Sequence, residues 1–291
     1  MSARDVLATF AVVRRGIEAW YAAEHRDFPW RGLTDPYAVL VSEVMLQQTQ
    51  AARIAERFPT FINRFPTAAA LAAAPTAAVL AAWSGLGYNR RALALQRAAT
   101  AVTTDGWPRD VDGLQRLPGV GPYTARAVAS LAFGVPVGVV DTNVRRWLLR
   151  RFGGPDEPRR LQALADDLAA PGRGEGIAAW THATMEFGAR ICTQRTPRCD
   201  ACPVADGCPS RGMAAPVHVP RQPAFNGSTR QQRGALLREL AASESHAIAD
   251  IGLDETIVNA LAGEGLLHRS GGMVRLGGRL QSGHDPEGEP G

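Results

Sequence analysis

The stretch LQRLPGVGPYTARAVASLAFGVPVGVVDTN, Leu114 to Asn143, decides how this chain is read. It runs as helix, tight glycine turn, helix, apolar run and carboxylate. Pro118 ends the first helix, because a helix rarely continues into a proline. Gly119 and Gly121 flank Val120, and glycine lets the chain turn sharply and approach a ligand closely. Pro122 suits the first position of a new helix, and the exposed amides at that start suit a phosphate. Asp141 follows the apolar run Val135 to Val140, a setting in which a carboxylate is partly desolvated. Taken alone, the same letters also describe an ordinary Gly-Pro turn followed by a buried helix.

Working outward, 291 residues suffice for one large domain or two ordinary ones, and 45% hydrophobic content supplies a core. A net charge of +4 is compatible with a polyanion partner but too mild to require one. All 32 basic residues are Arg, so no side chain here forms a Schiff base and lysine-based lyase chemistry is excluded. No apolar run reaches bilayer-spanning length and MSARDVLATF lacks a signal-peptide layout, so a cytoplasmic protein with no membrane contact is expected. The four Cys lie within seventeen residues, which in a reducing compartment points to a metal rather than disulfides.

Residues 4–24 place Phe10, Val13, Ile17, Trp20 and Tyr21 at helical spacing. HRDFPWRG follows, a loop in which Trp30 by itself reads as a packed aromatic and Arg31 as a surface charge. Residues 36–58 open with Pro36 and read as one helix, with Val39, Leu40, Val44, Leu46, Ile54 and Phe58 toward a core. Glu43 lies among Val41, Val44, Met45 and Leu46, so it is either at a helix edge facing water or buried for a purpose. Residues 60–82 are Ala-rich and helix-favouring, with Pro75 at a boundary. WSGLGYNRRA reads as a loop anchored by Leu86, and Tyr88 follows. Further helices are expected over 92–104, 144–152 and 160–170, with no strand pattern before residue 220. Glu186, in WTHATMEFGARIC, reads by default as a solvated helix acid.

Cys192, Cys199, Cys202 and Cys208 are separated by six, two and five residues. Four thiolates this close can hold zinc or an iron–sulfur cluster, and chemistry alone does not choose between them. Arg190, Arg195 and Arg198, in or beside this loop, would help contact phosphates. Beyond it, Arg233 to Leu240, Ala247 to Leu253 and Glu255 to Leu267 read as helical. HRSGGMVRL then reads as a hairpin turning at Gly271-Gly272, the order of a winged helix. The Gly-, Pro- and Glu-rich tail from Gln281 is expected to be disordered.

LPGVGPYTA and the Asp after it resemble the helix-hairpin-helix of endonuclease III-like DNA glycosylases. SEVMLQQTQ and DFPWR resemble the adenine glycosylase branch, the MutY family, and C-x6-C-x2-C-x5-C matches the superfamily's cluster motif. The resemblance spans roughly residues 20–225. It implies a mainly α fold of two helical lobes with a [4Fe–4S] cluster on the four Cys, binding the lesion between the lobes. The expected domains are 1–218, where the resemblance lies (helix-hairpin-helix 114–133, cluster loop 192–208), then 219–280, which the residue pattern makes winged-helix-like and α+β, then the tail 281–291. It implies a monomeric enzyme that removes adenine mispaired with 8-oxoguanine or guanine in double-stranded DNA.

In that family Glu43 would protonate adenine N7, and Asp141 would stabilise the sugar cation, held by Asn143 and assisted by Tyr123. Trp30, Arg31, Leu46 and Glu186 fall on substrate-binding positions, and Gln48, Leu86 and Tyr88 would fill or prop open the gap left by the flipped base. The amides of Gly119, Val120 and Gly121 would grip the DNA backbone. Tyr123 stands where the bifunctional endonuclease III branch has its nucleophilic Lys, which implies a monofunctional enzyme. Thr142 departs from the family's usual Gly, which puts the local backbone in question because Thr dislikes positive φ. The family's larger Nudix-like domain has no counterpart in this sequence, and Ser245-His246 lacks the Phe of its recognition loop. The rivals are a thymine-mismatch glycosylase of the same superfamily, which SEVMLQQTQ argues against, and a non-catalytic, cluster-bearing winged-helix regulator.

Overall fold

The computed structural model describes residues 3–170, 175–213, 227–242, 245–248 and 255–277. Its helices are α1 (Ala3–Glu24), α2 (Pro36–Leu46), α3 (Ala51–Arg64), α4 (Ala68–Ala73), α5 (Thr76–Trp83), α6 (Arg90–Asp105), α7 (Val111–Gln115), α8 (Pro122–Phe133), α9 (Thr142–Phe152), α10 (Pro158–Ala169), α11 (Glu175–Arg190), α12 (Thr229–Ala242) and α13 (Glu255–Gly263). The strands are β1 (His246–Ala247), β2 (Leu267–Ser270) and β3 (Met273–Leu276). The chain builds two compact units. One contains Met1–Ala68 and Ala101–Arg221, the other Ala69–Thr100 and Gln222–Gly291.

In the first unit α8 is the central helix, packed against α2, α7 and α11. Its buried residues are mostly small (Thr124, Ala125, Ala127, Ala129 and Ser130), which lets neighbouring helices approach closely. Ser130 Oγ and Thr181 Oγ1 share a buried hydrogen bond of 2.6 Å that ties α8 to α11. A separate cluster of Val13, Ile17, Trp147, Leu148, Leu161, Trp180 and Phe187 joins α1, α9, α10 and α11.

The glycine turn forms as its letters require. Asp110 caps α7 by accepting from the Gly113 amide at 2.8 Å. Gly119 turns the chain at φ 75°, and Gly121 then starts α8 with Pro122 at its first position. Leu114, Leu117 and Val120 are buried beneath the turn, while Gly119 and Gly121 are exposed.

The single helix expected over 36–58 is two helices. Asp35 caps α2 through the Tyr37 and Ala38 amides, and Tyr37 through Met45 are all buried. The chain then breaks at Gln47–Gln50, with Gln48 at φ 56°, and restarts as α3 with Ile54, Phe58 and Phe61 inward. Neither Gly nor Pro marks this break, and the apolar spacing resumes in phase on its far side, so the sequence conceals it. Gln47 Nε2 donates to Thr124 Oγ1 at 3.2 Å and anchors the break to α8.

In the second unit α12 and β3 pack on α5. Strands β1, β3 and β2 form an antiparallel sheet in that order, with Gly271 and Gly272 both at positive φ in the two-residue turn. His246–Ala247 is a strand rather than the start of the expected helix 247–253, because its backbone pairs with Met273–Val274. Residues 249–253 lie outside the described residues, as does the tail from Gln281. The helix expected over 255–267 ends at Gly263, and Leu267 already belongs to β2.

Gly188 is a mid-helix glycine with a packing reason. A Cβ there would stand 2.7 Å from the Asn143 carbonyl oxygen and 2.8 Å from its carbon. Glycine inside a helix costs about 0.5–1 kcal/mol relative to Ala, so on propensity alone Gly188→Ala would stabilise α11. We expect the opposite: overpacking against the α9 backbone destabilises by roughly 1–3 kcal/mol. Thermal melting of the variant checks this, and a raised Tm refutes it.

Candidate active site

Three elements of the first unit bring Glu43, Tyr123 and Asp141 together. Glu43 comes from the middle of α2, Tyr123 from the first turn of α8, and Asp141 is the N-cap of α9. Glu43 is 3% exposed, so the solvated alternative does not hold. Burial pushes its carboxyl up to about 7; a hydrogen bond with Tyr123 opposes the shift, and the Asp141 charge adds to it. Its Oε2 is buried with no hydrogen-bond partner among the described residues. Burial also raises the Tyr123 hydroxyl well above its ordinary range, so it keeps its proton. That hydroxyl also lies 3.5 Å from Met185 Sδ, but a carboxylate is the stronger acceptor for its one proton.

Asp141 has the opposite equipment. Its Oδ1 accepts from the Val144 amide at 2.6 Å, and its Oδ2 accepts from Asn143 Nδ2 at 2.9 Å. Burial leaves its carboxyl above its ordinary value, although these bonds and the Arg146 charge oppose the shift. Thr142 opens α9 and is not among the residues at positive φ, so replacing the family's Gly strains nothing. The extended run before Asp141 is pinned at Gly138, whose amide donates to Asp166 at 2.7 Å. Its carbonyl accepts from Arg126 at 3.2 Å and Gln162 at 2.9 Å.

Arg146 extends this arrangement. It donates to Asn143 Oδ1 at 2.9 Å, to the Gly188 carbonyl at 2.6 Å and to the Cys192 carbonyl at 2.7 Å. One buried guanidinium therefore joins the start of α9, the end of α11 and the first cysteine. In sequence it is only a cation beside the apolar residues Val144, Trp147 and Leu148, and its role was not legible there.

Glu186 is 2% exposed and lies between two arginines. Arg26 forks onto it at 2.6 and 3.1 Å, and Arg31 donates at 2.9 Å. Burial raises its carboxyl, but these cations more than offset that, so it stays ionised. Glu186 is thus not a solvated acid, and Arg31 is not a surface charge. Trp30 is buried, stacked on Phe28 at 4.8 Å. Leu46 is partly buried and Gln48 exposed. His182, one turn before Glu186, is pushed down to about 3 by burial and by the Arg31 charge, which keeps it neutral. Arg26 and His182 escaped the sequence reading because Arg26 lies 160 positions from its partner.

Leu86 and Tyr88 belong to the second unit. Leu86 is buried, whereas Tyr88 is 43% exposed at φ 49°, so Tyr88 is the side chain presented to solvent. Of the expected phosphate contacts, Arg190 is engaged by the Glu24 carbonyl and lies over Trp20.

The four cysteines line one cavity, with Arg150, Arg198 and Arg211 at its wall. Arg150 donates to the Thr193 and Gln194 carbonyls and stands 3.5 Å from Cys192 Sγ. The Gly212 amide points at Cys199 Sγ at 3.4 Å. Burial pushes the Cys202 thiol up to about 11, so metal binding would have to displace its proton. Among the described residues, no three ligand-type side chains gather as they would around a single ion. Also among these residues, no helix is long and apolar enough to cross a membrane.

Residues 41–173 match the family model for HhH-GPD superfamily base excision DNA repair proteins. Over 240 residues the chain is 47% identical to the adenine DNA glycosylase of Mycobacterium tuberculosis, across 78% of this chain and 77% of that one. The structure of a thermostable thymine-DNA glycosylase aligns with TM-score 0.65 at 30% identity, covering 70% of this chain and 97% of the other. A trapped endonuclease III–DNA covalent intermediate shares the fold, with TM-score 0.60 at 24% identity, over 73% of this chain and 98% of its own. The chain belongs to the adenine DNA glycosylase family of the HhH-GPD superfamily of base excision DNA repair proteins.

Proposed function

We propose that this protein is a monofunctional adenine DNA glycosylase that hydrolyses the N-glycosidic bond of adenine mispaired with 8-oxoguanine or guanine. The observation that carries the reading is the pair of unlike carboxyls, Glu43 with a buried, unpartnered oxygen and Asp141 held by two donors. Cleavage needs a proton on the leaving base and negative charge near the developing sugar cation. Environments that push two carboxyls apart supply an acid and an anion at one pH. Protonated Glu43 delivers the proton to the base, and ionised Asp141 faces the sugar cation. Tyr123 keeps its hydroxyl proton and orients Glu43. Glu186, fixed as an anion by Arg26 and Arg31, accepts from the exocyclic amine of the flipped adenine, and Trp30 and Leu46 bound that pocket. With no lysine in the chain, the product is an abasic site and not an imine-linked strand break.

DNA enters the reading through the family and the glycine turn. The Gly119 and Gly121 amides suit a phosphate, because both residues are exposed and no described side chain caps the start of α8, whereas the Val120 amide is taken by the Leu117 carbonyl at 3.1 Å. Gln48, exposed in the first unit, is the candidate to occupy the gap left by the flipped base; in the second unit Tyr88 is the exposed wedge candidate, and Leu86 is buried. Cys192, Cys199, Cys202 and Cys208 would hold a [4Fe–4S] cluster, a reading supported by their shared cavity and by the C-x6-C-x2-C-x5-C spacing that resembles the superfamily's cluster motif. When bound, the cluster supplies four metal–thiolate bonds that close the loop after α11. In this reading residues 1–218 carry the chemistry and 219–280 form the small winged-helix-like accessory of a monomer working in the cytoplasm.

Single-turnover base release from a duplex with one adenine opposite 8-oxoguanine tests the assignment. Strand breaks should need alkali, and Glu43→Gln should slow release by roughly 10²–10⁴-fold. Release of thymine from a T:G duplex, with the adenine duplex left intact, would move the assignment to the thymine branch seen among the solved structures.

The rate should depend on pH as a bell. It falls as pH rises through about 7, where Glu43 loses its proton, and it falls in acid as Asp141 gains one. Because Arg146 lowers the Asp141 carboxyl, Arg146→Gln should move the acid limb to higher pH and slow release by roughly tenfold to a hundredfold. An unmoved acid limb would show that Arg146 has no hold on Asp141.

The same carboxyl has a stability signature. Folding raises the Glu43 pKa from 4.5 to about 7, so the folded state holds more protons between those values and loses stability as pH rises through them. Glu43→Gln removes this loss. Its Tm should exceed that of the unaltered protein at pH 8 by an amount reflecting up to ~3 kcal/mol, and the gap should close near pH 5. A gap that does not vary with pH would mean that Glu43 is not ionised at the higher pH.

A further inference from the structure

The sheet of the second unit has a face that the proposed chemistry leaves unused. Val274, Leu276 and Leu267 point into the core. The other face presents His268, Ser270, Met273 and Arg275, which with Ser245 line a shallow depression of about 250 Å³. His268 and Arg275 stand directly opposite each other across β2 and β3, as do Ser270 and Met273. Directly opposed residues have side chains close enough to share one ligand.

Among the residues lining the depression, Arg275 carries the formal charge. Arg233 is paired with Glu264 at 2.6 Å, and Arg269 with Glu255 at 2.6 Å. Among the described residues Arg275 has no acidic partner, and no carboxylate lines the depression. An arginine fork beside an imidazole and two hydroxyls offers donors to a phosphodiester oxygen without a competing anion. Met273, 40% exposed, gives the rim an apolar surface suited to a sugar.

We propose that this face grips the phosphate backbone of duplex DNA, with Arg275 as the principal contact and His268, Ser245 and Ser270 as supporting donors. The proposal rests on the DNA glycosylase reading and adds a sequence-independent attachment point outside the catalytic residues.

The test uses the full chain and fluorescence anisotropy of a labelled duplex with adenine opposite 8-oxoguanine, titrated across a salt series. Arg275→Gln should bind roughly fivefold more weakly at low salt, and the slope of log Kd against log salt should fall by about one. Arg275→Lys should restore most of the slope, which a packing role would not explain. Arg275 is exposed, so the melting temperatures of both variants should match the unaltered protein. Equal or tighter binding with an unchanged slope in Arg275→Gln would overturn the proposal. Base release by the unaltered protein, scored on the same duplex, separates the two readings: binding without release sinks the glycosylase assignment while the slopes still decide this contact. An unaltered protein that does not bind the duplex overturns both.

Discussion

The guanidinium of Arg146 is the interaction on which the candidate site depends. It satisfies two backbone carbonyls, those of Gly188 and Cys192, and the side-chain oxygen of Asn143. Asn143 in turn donates to Asp141, whose other oxygen caps α9. A helix start, a helix end and a cysteine loop are therefore fixed by one buried cation. Removing it would leave three acceptors without a donor, each costing about 1–3 kcal/mol. Gly188 makes the arrangement possible, because the approach of α9 to α11 leaves no room for a Cβ.

Burial acts on every acid in the site, yet the acids end in different states. Glu43 receives little compensation and keeps its proton near neutral pH. Asp141 gains an amide, an amide side chain and a nearby cation. Glu186 gains two arginines and stays ionised although almost no water reaches it. The number of donors facing each carboxyl, rather than its depth, sorts proton donor from anion. His182 is kept neutral first by burial and then by the Arg31 charge.

Strain falls where contact with DNA is expected. Gln48 and Tyr88 are the non-glycine residues at positive φ among those described, and both occupy tips between helices. Such backbone persists only where surrounding structure holds it, and it recurs at functional positions. For Gln48 the hold is visible in the Gln47–Thr124 bond at its base.

The sequence by itself determined the glycine turn, the helices flanking it and the cysteine loop. Each is written in adjacent letters, where turn chemistry, capping and ligand spacing act over a few residues. Tertiary structure alone decided the break at Gln48, because an in-phase apolar pattern reads as one helix whether or not the chain kinks. It turned Arg31 from an apparent surface charge into a partner of Glu186 and added Arg26, since an ion pair across about 160 positions leaves no periodic trace. It also converted Ala247 from the start of an expected helix to a strand residue beside His246, because a two-residue strand exists only through the β3 backbone that pairs with it. Above all it decided that Glu43 is dry and Asp141 is not left bare, since desolvation and donor count are properties of what packs around a side chain and not of its neighbours in the chain.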